Sequence, residues 1–177
     1  MKITQELFEK AVKFATEKHK GVTRKGDGRP YILHPMSVMT TLLAIKKSNN
    51  ALLLAIVALL HDVVEDCDVT LEEIAKEFGW QVASLVGELT SDPAEIKRLG
   101  KTEYLKQKML RMSSYGLRVK LVDRLDNIKD MASMNVSFQK KQIDATNEII
   151  LALETQRKLT KTHKLLIKMI RREIKKY

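Results

Sequence analysis

Residues 51–68 read ALLLAIVALLHDVVEDCD, and the abrupt change of character inside this stretch decides how the rest of the chain is read. Its first part, Ala51 to Leu60, is apolar nearly all round, which predicts a buried central helix from about Asn50 to Asp66. The second part sets His61, Asp62, Glu65 and Asp66 at i, i+1, i+4 and i+5, two adjacent pairs one turn apart on one side of that helix. A neutral imidazole beside a carboxylate suits a divalent transition metal, and mixed nitrogen and oxygen donors suit manganese, iron or zinc. Two further carboxylates one turn on can bind a second ion, or orient and deprotonate a water. The plainer reading is a helix end emerging into solvent. Acids at a helix C-terminus oppose the macrodipole, however, so the three there, Asp62, Glu65 and Asp66, call for a compensating cation.

Outward from this stretch, apolar residues recur at helical rather than alternating spacing, and three prolines and seven glycines are few for 177 residues. Leu7, Ala11, Phe14 and Ala15 line one face of a first helix starting near Thr4, and a second starts at His34-Pro35 and runs to about Lys47. Thr70-Leu71-Glu72-Glu73 fits a capping box for a helix stopping at Gly79, and another covers Gln81 to Leu89. Asp92-Pro93 is a cap followed by a first-turn proline, with Gly100 making the stretch irregular. Further helices are expected over residues 101–112, 115–131, 138–158 and 160–176. Phe78 and Trp80, flanking Gly79, read as core or helix-junction packing, and Cys67 as a small residue at a helix end. No strand pattern or internal repeat competes, so the expected class is all-α, a single compact multi-helix bundle.

Composition narrows the function classes. Hydrophobic residues at 44% and charged residues at 31% describe a globular chain of one ordinary domain. A single cysteine, Cys67, allows no intramolecular disulfide and suits a reducing cytoplasm, the expected location. The first ten residues, MKITQELFEK, carry four charges where a secretory signal needs an apolar run. Ala51 to Leu60 is about half of what a membrane crossing requires, so no membrane span is expected. The net charge is +10, yet residues 156–177 hold nine Lys or Arg against one acid, Glu173. The body is therefore nearly neutral, with a basic C-terminal helix attached, and the expected layout is a body over residues 1–155 and an amphipathic helix over 156–177 packed on it. Aromatics make up 5% and none cluster with the basic run, so nucleic acid is disfavoured as a partner.

Other segments supply polar groups at telling places. His34, in YILHP, is by type more often a capping or core residue than a ligand. KLVDRLDNIKD puts Asp123 and Asn127 one turn apart within the apolar stripe of Leu117, Leu121, Leu125 and Ile128. A carboxylate in that surround is costly unless paired or coordinated. Arg24 and Lys25, in the glycine-rich loop before His34, can grip phosphate oxygens, although a solvated loop has the same composition.

Together these fragments resemble the HD-domain phosphohydrolases, and more specifically the (p)ppGpp hydrolase domain of the Rel/SpoT type and its stand-alone small alarmone hydrolases. The residues that carry the likeness are Arg24-Lys25, Pro30-Tyr31-Ile32 with His34-Pro35, the run Leu60-His61-Asp62-Val63-Val64-Glu65-Asp66, Phe78-Gly79, and Lys120-Leu121-Val122-Asp123-Arg124-Leu125 with Asn127. Their order and spacing fit from about Leu7 to Asp130. The resemblance implies that His34, His61, Asp62 and Asp123 bind one Mn²⁺ ion and that Glu65 and Asp66 position and activate the attacking water. Arg24, Lys25 and Asn127 would contact the nucleotide. The implied reaction removes the 3′-pyrophosphate of ppGpp or pppGpp, leaving GDP or GTP. Three departures stand out: Val22 where the family has glutamine, a loop over Gly26–Arg29 of the length found in the stand-alone enzymes, and Asp126 where Rel proteins have histidine.

Two other readings use the same residues. One keeps the metal site and changes the substrate to (p)ppApp or NADPH. The other is a module without catalysis that senses nucleotides, or that meets an anionic surface or acidic partner through the basic helix. The sequence fixes no oligomeric state.

Overall fold

The computed structural model describes residues 1–45 and 50–177, so the expected end of the second helix near Lys47 lies outside the described residues. Helices account for all of its regular structure except an isolated antiparallel bridge between Thr23 and Pro30, and the described chain falls into two units, Met1–Thr90 and Ser91–Tyr177.

The first unit holds α1 (Gln5–Lys18), α2 (Leu33–Ile45), α3 (Ala51–Leu60), α4 (Val63–Asp66), α5 (Leu71–Phe78) and α6 (Trp80–Leu89). The long apolar run becomes α3, with every residue from Leu53 to Leu60 buried, and α1, α2 and α6 pack around it. Burial on this scale makes the helix the unit's core, where truncating Leu59 or Leu60 to alanine costs about 2–5 kcal/mol. Thr4 caps α1 by accepting from the Leu7 N–H at 3.2 Å. Thr70 caps α5 in the same way through Glu73 N–H, but the Glu73 carboxylate pairs with Lys18 at 3.0 Å.

The central helix differs from its expected course. It stops at Leu60 and resumes as the single turn α4, with Asp62 between them at φ −107° and ψ −5°. The cause is local. His61 Nδ1 lies 2.7 Å from the Ala58 carbonyl, the acceptor that the Asp62 N–H would use in a continuing helix. A second difference concerns Trp80. It opens α6 directly after Gly79, whose φ of +87° turns the chain, and its side chain is 77% exposed, while Phe78 one residue earlier is in the core.

The second unit holds α7 (Pro93–Leu99), α8 (Lys101–Arg111), α9 (Ser114–Lys129), a 3-10 turn over Asp130–Ser133, α10 (Val136–Gln156) and α11 (Lys161–Ile174). Asp92 caps α7 through the N–H groups of Ala94 and Glu95. The basic helix α11 packs on α9 with Leu166, Ile167 and Ile170 buried, so its apolar stripe is already covered. Two polar ties run between these helices. The ring of His163 lies 3.0 Å from the Ser114 carbonyl at the start of α9, and the Tyr177 hydroxyl donates to the Ile128 carbonyl at 2.8 Å near its end. Arg171 forks onto Glu154 of α10 at 2.9 and 2.7 Å. Among the described residues no helix is long and apolar enough to cross a membrane.

Candidate metal centre

The break between α3 and α4 delivers the chemistry. It leaves His61 at the C-terminal end of α3 and Asp62 as the residue before α4, while α2 presents His34 from its first turn. Both imidazoles are buried, and their ring centroids are 5.2 Å apart. Asp62 Oδ2 faces both: His61 Nε2 lies 3.1 Å from it and His34 Nε2 3.5 Å.

Hydrogen-bond chemistry then assigns the protons. A carbonyl only accepts, so His61 Nδ1 carries the N–H that meets Ala58, and Nε2 is the nitrogen that faces the Asp62 carboxylate. With Nε2 unprotonated, the two acceptors 3.1 Å apart are compatible when a cation stands with them. Two imidazole nitrogens and a carboxylate in a buried setting are the mixed donor set that suits a borderline divalent ion, so the residues fit a metal. Within the first unit, then, the side chains of His34 and His61 lie together around Asp62.

Tyr31 and His19 complete the surroundings, and neither had a role in the sequence reading. The Tyr31 hydroxyl donates to Asp62 Oδ2 at 2.7 Å. Burial, reinforced by the Asp62 charge, raises the phenol far above its ordinary value, so it stays protonated and remains a donor. His19 is 2% exposed with its ring centroid 4.9 Å from that of Tyr31, and burial lowers its affinity for protons despite the charges of Asp62 and Asp66. Its Nδ1 is 3.4 Å from Cys67 Sγ, whose thiol is pushed up by burial and by Asp66. That keeps Cys67 a neutral thiol rather than a nucleophile.

Glu65 and Asp66 project from the one-turn helix α4 and are both exposed. The loop before α2 is closed by the Arg24 N–H to the Arg29 carbonyl at 2.8 Å and the Tyr31 N–H to the Val22 carbonyl at 2.9 Å. Asp27 pairs with Arg29 across it. Arg24 sits over the Tyr31 ring at 5.6 Å, and Lys25 is exposed beside it. In the second unit, Asp123 is a buried carboxylate on α9, flanked by Lys120 Nζ at 2.9 Å and by the Asn127 amide, which donates at 2.5 Å. Asp126, the departure from the Rel pattern, is also buried there.

A helical fold that sets two buried histidines against one aspartate oxygen defines a class of proteins with a donor set fit for a divalent metal ion. The chain is a member of the HD-domain family, whose model matches residues 11–158. It is 41% identical over 125 residues to the guanosine-3′,5′-bis(diphosphate) 3′-pyrophosphohydrolase MESH1 of Mus musculus, covering 68% of this chain and 67% of that one. It is 36% identical over 157 residues to the guanosine-3′,5′-bis(diphosphate) 3′-pyrophosphohydrolase of Aquifex aeolicus, covering 84% of this chain but only 21% of that relative. Among solved structures it resembles a metazoan ortholog of SpoT that hydrolyzes ppGpp and plays a role in starvation responses. The TM-score is 0.76 at 27% identity, with 98% of each chain covered.

Proposed function

We propose that the chain hydrolyses the 3′-pyrophosphate of ppGpp or pppGpp, releasing pyrophosphate and leaving GDP or GTP. The observation that carries this reading is the Asp62 oxygen faced by two buried imidazoles in a chain whose relatives bear that activity in their names. His34, His61, Asp62 and Asp123 are the residues that would hold one Mn²⁺ ion. Asp123 is included because it is a buried carboxylate able to offer a donor oxygen, in the DRLDN segment that matches the family pattern. A bound divalent ion supplies Lewis acidity, making water a stronger acid and offsetting negative charge on phosphoryl oxygens.

The chain's own groups supply the remainder. Glu65 and Asp66 take the proton from the attacking water, a task open to carboxylates that stand at the solvent edge beside the buried histidines. Oxygen from that water bonds to the 3′-phosphorus as its bond to the ribose 3′-oxygen breaks, and the 3′-oxygen leaves as a hydroxyl by taking back the proton that the carboxylates accepted. Arg24 and Lys25 grip phosphate oxygens, and Asn127 contacts the nucleotide. Residues 1–155 form the hydrolase body in this reading, and residues 156–177 serve it as a packed helix, supported by the burial of Leu166, Ile167 and Ile170. A lone cysteine and a nucleotide substrate suit a cytoplasmic home.

The test is pyrophosphate release from ppGpp and (p)ppApp and phosphate release from NADPH, each with and without Mn²⁺. Manganese-dependent release from ppGpp supports the reading. Release only from an adenine nucleotide replaces the substrate, and binding of Mn²⁺ with no hydrolysis of any of them overturns the enzyme assignment.

A further inference from the structure

Tyr31 stands three residues before His34 and touches three groups of the first unit. Its hydroxyl donates to Asp62 Oδ2 at 2.7 Å, the same oxygen that His61 and His34 face. Its ring lies 5.8 Å from the His34 ring and 4.9 Å from the His19 ring, centroid to centroid. The Arg24 guanidinium lies over it at 5.6 Å.

An aspartate carboxylate turns easily about its last bond, because that torsion has broad, two-fold wells. A carboxylate that turns presents neither oxygen dependably to its partners. One hydrogen bond to Oδ2 fixes the rotation and leaves the second lone pair of that oxygen for the side where the imidazole nitrogens point. Arg24 resting on the same ring ties the loop that carries it to the same point.

Resting on the hydrolase reading above, we propose that Tyr31 is a positioning residue with two separable parts. Its hydroxyl orients the Asp62 carboxylate for a divalent ion, and its ring seats the phosphate-gripping loop through Arg24.

Two substitutions separate the parts. Tyr31→Phe removes the oxygen and keeps the ring. Tyr31→Leu removes both. Mn²⁺ affinity is measured on the whole chain by electron paramagnetic resonance, and the substrate KM is measured at saturating Mn²⁺. Tyr31→Phe is expected to weaken Mn²⁺ binding ~10–100-fold, the usual effect of removing a partner of a metal-holding side chain. Its KM at saturating metal should stay within about twofold of wild type, since Arg24 keeps its platform. Tyr31→Leu should weaken the metal to a similar extent and also raise KM. A purely structural tyrosine would lower the melting temperature of both variants without this split.

Mn²⁺ affinity of Tyr31→Phe within twofold of wild type would overturn the hydroxyl's role. Equal KM values for Tyr31→Phe and Tyr31→Leu would overturn the ring's. A wild-type chain that binds Mn²⁺ but hydrolyses no nucleotide defeats the hydrolase reading alone, and the metal comparison still decides the hydroxyl. A wild-type chain that binds no divalent ion defeats both.

Discussion

His61 in the first unit and His163 in the second are each 1% exposed, yet their ring nitrogens keep different company. His163 has both nitrogens committed to the backbone. Its Nδ1 accepts from the Thr160 N–H at 3.4 Å in a capping box, and its Nε2–H donates to the Ser114 carbonyl at 3.0 Å. His61 gives one nitrogen to the Ala58 carbonyl and aims the other at a carboxylate. The first arrangement is complete with a neutral ring. The second leaves a ring nitrogen facing a carboxylate, where a proton or a metal ion fits. Burial alone therefore says little about a histidine's purpose, and the partner of its second nitrogen says most of it.

Replacing Asp62 breaks this contrast at its most sensitive point. Asp62→Ala removes the oxygen that gathers Tyr31, His34 and His61, and metal-assisted stabilisation of phosphoryl transfer is worth several kcal/mol. Pyrophosphate release should fall at least ~10³-fold, and a chelator should do the same to the wild type. His163→Ala should leave release within a few-fold. A fully active Asp62→Ala would show that the two histidines are used alike.

Stability should show the opposite ordering. His163→Ala removes the ring's bonds to the Ser114 carbonyl and the Thr160 N–H and leaves a void where the buried imidazole packed, a loss of about 2–3 kcal/mol in denaturant unfolding. Acid sharpens the same point. Burial first, and then the charges of Arg118 and Arg157, hold the folded-state proton affinity of His163 below its ordinary value, although its bond to Ser114 opposes them. The unfolded chain then binds more protons than the folded one at mildly acid pH. Stability is fully present above about pH 6.5 and is lost as the pH falls below that, with a slope of at most about 1.4 kcal/mol per pH unit from this one group. His163→Gln keeps a donor for Ser114 and cannot titrate, so unfolding midpoints from pH 7 to pH 5 should fall less steeply for it. His19, lowered in the same direction, leaves a residual slope.

The sequence shows the first of these histidines far better than the second. HDVVED and DRLDN are dense local patterns, and the capping groups Thr4, Thr70 and Asp92 sit where their types predict. Helical periodicity suffices for the all-helical class, because it needs only the spacing of apolar side chains. What spacing does not contain is competition for a backbone carbonyl, and so the central helix was expected to run through His61 to Asp66 unbroken. Nor does it contain contacts made across the fold: Tyr31 meets Asp62 from 31 residues away, and His163 meets Ser114 from 49. Trp80 misleads for another reason. A large aromatic is usually buried on average, but the turn at Gly79 faces this one outward.

The smallest effect concerns which half of the His163 arrangement carries its stability. Thr160→Ala deletes the hydroxyl that accepts from the His163 N–H at 3.2 Å, a cap worth about 1 kcal/mol, while the Ser114 contact and the packing of the ring remain. Unfolding of this variant should therefore cost less than that of His163→Ala. The two groups belong to one capping box, so combining Thr160→Ala with His163→Gln should cost less than the two changes added together. A Thr160→Ala loss equal to that of His163→Ala would assign the whole effect to the cap and make the 3.0 Å approach to Ser114 incidental. A loss near zero would put the weight on the tie between α11 and α9. Either result concerns the packing of α11 on α9 alone, through Thr160, His163 and Ser114.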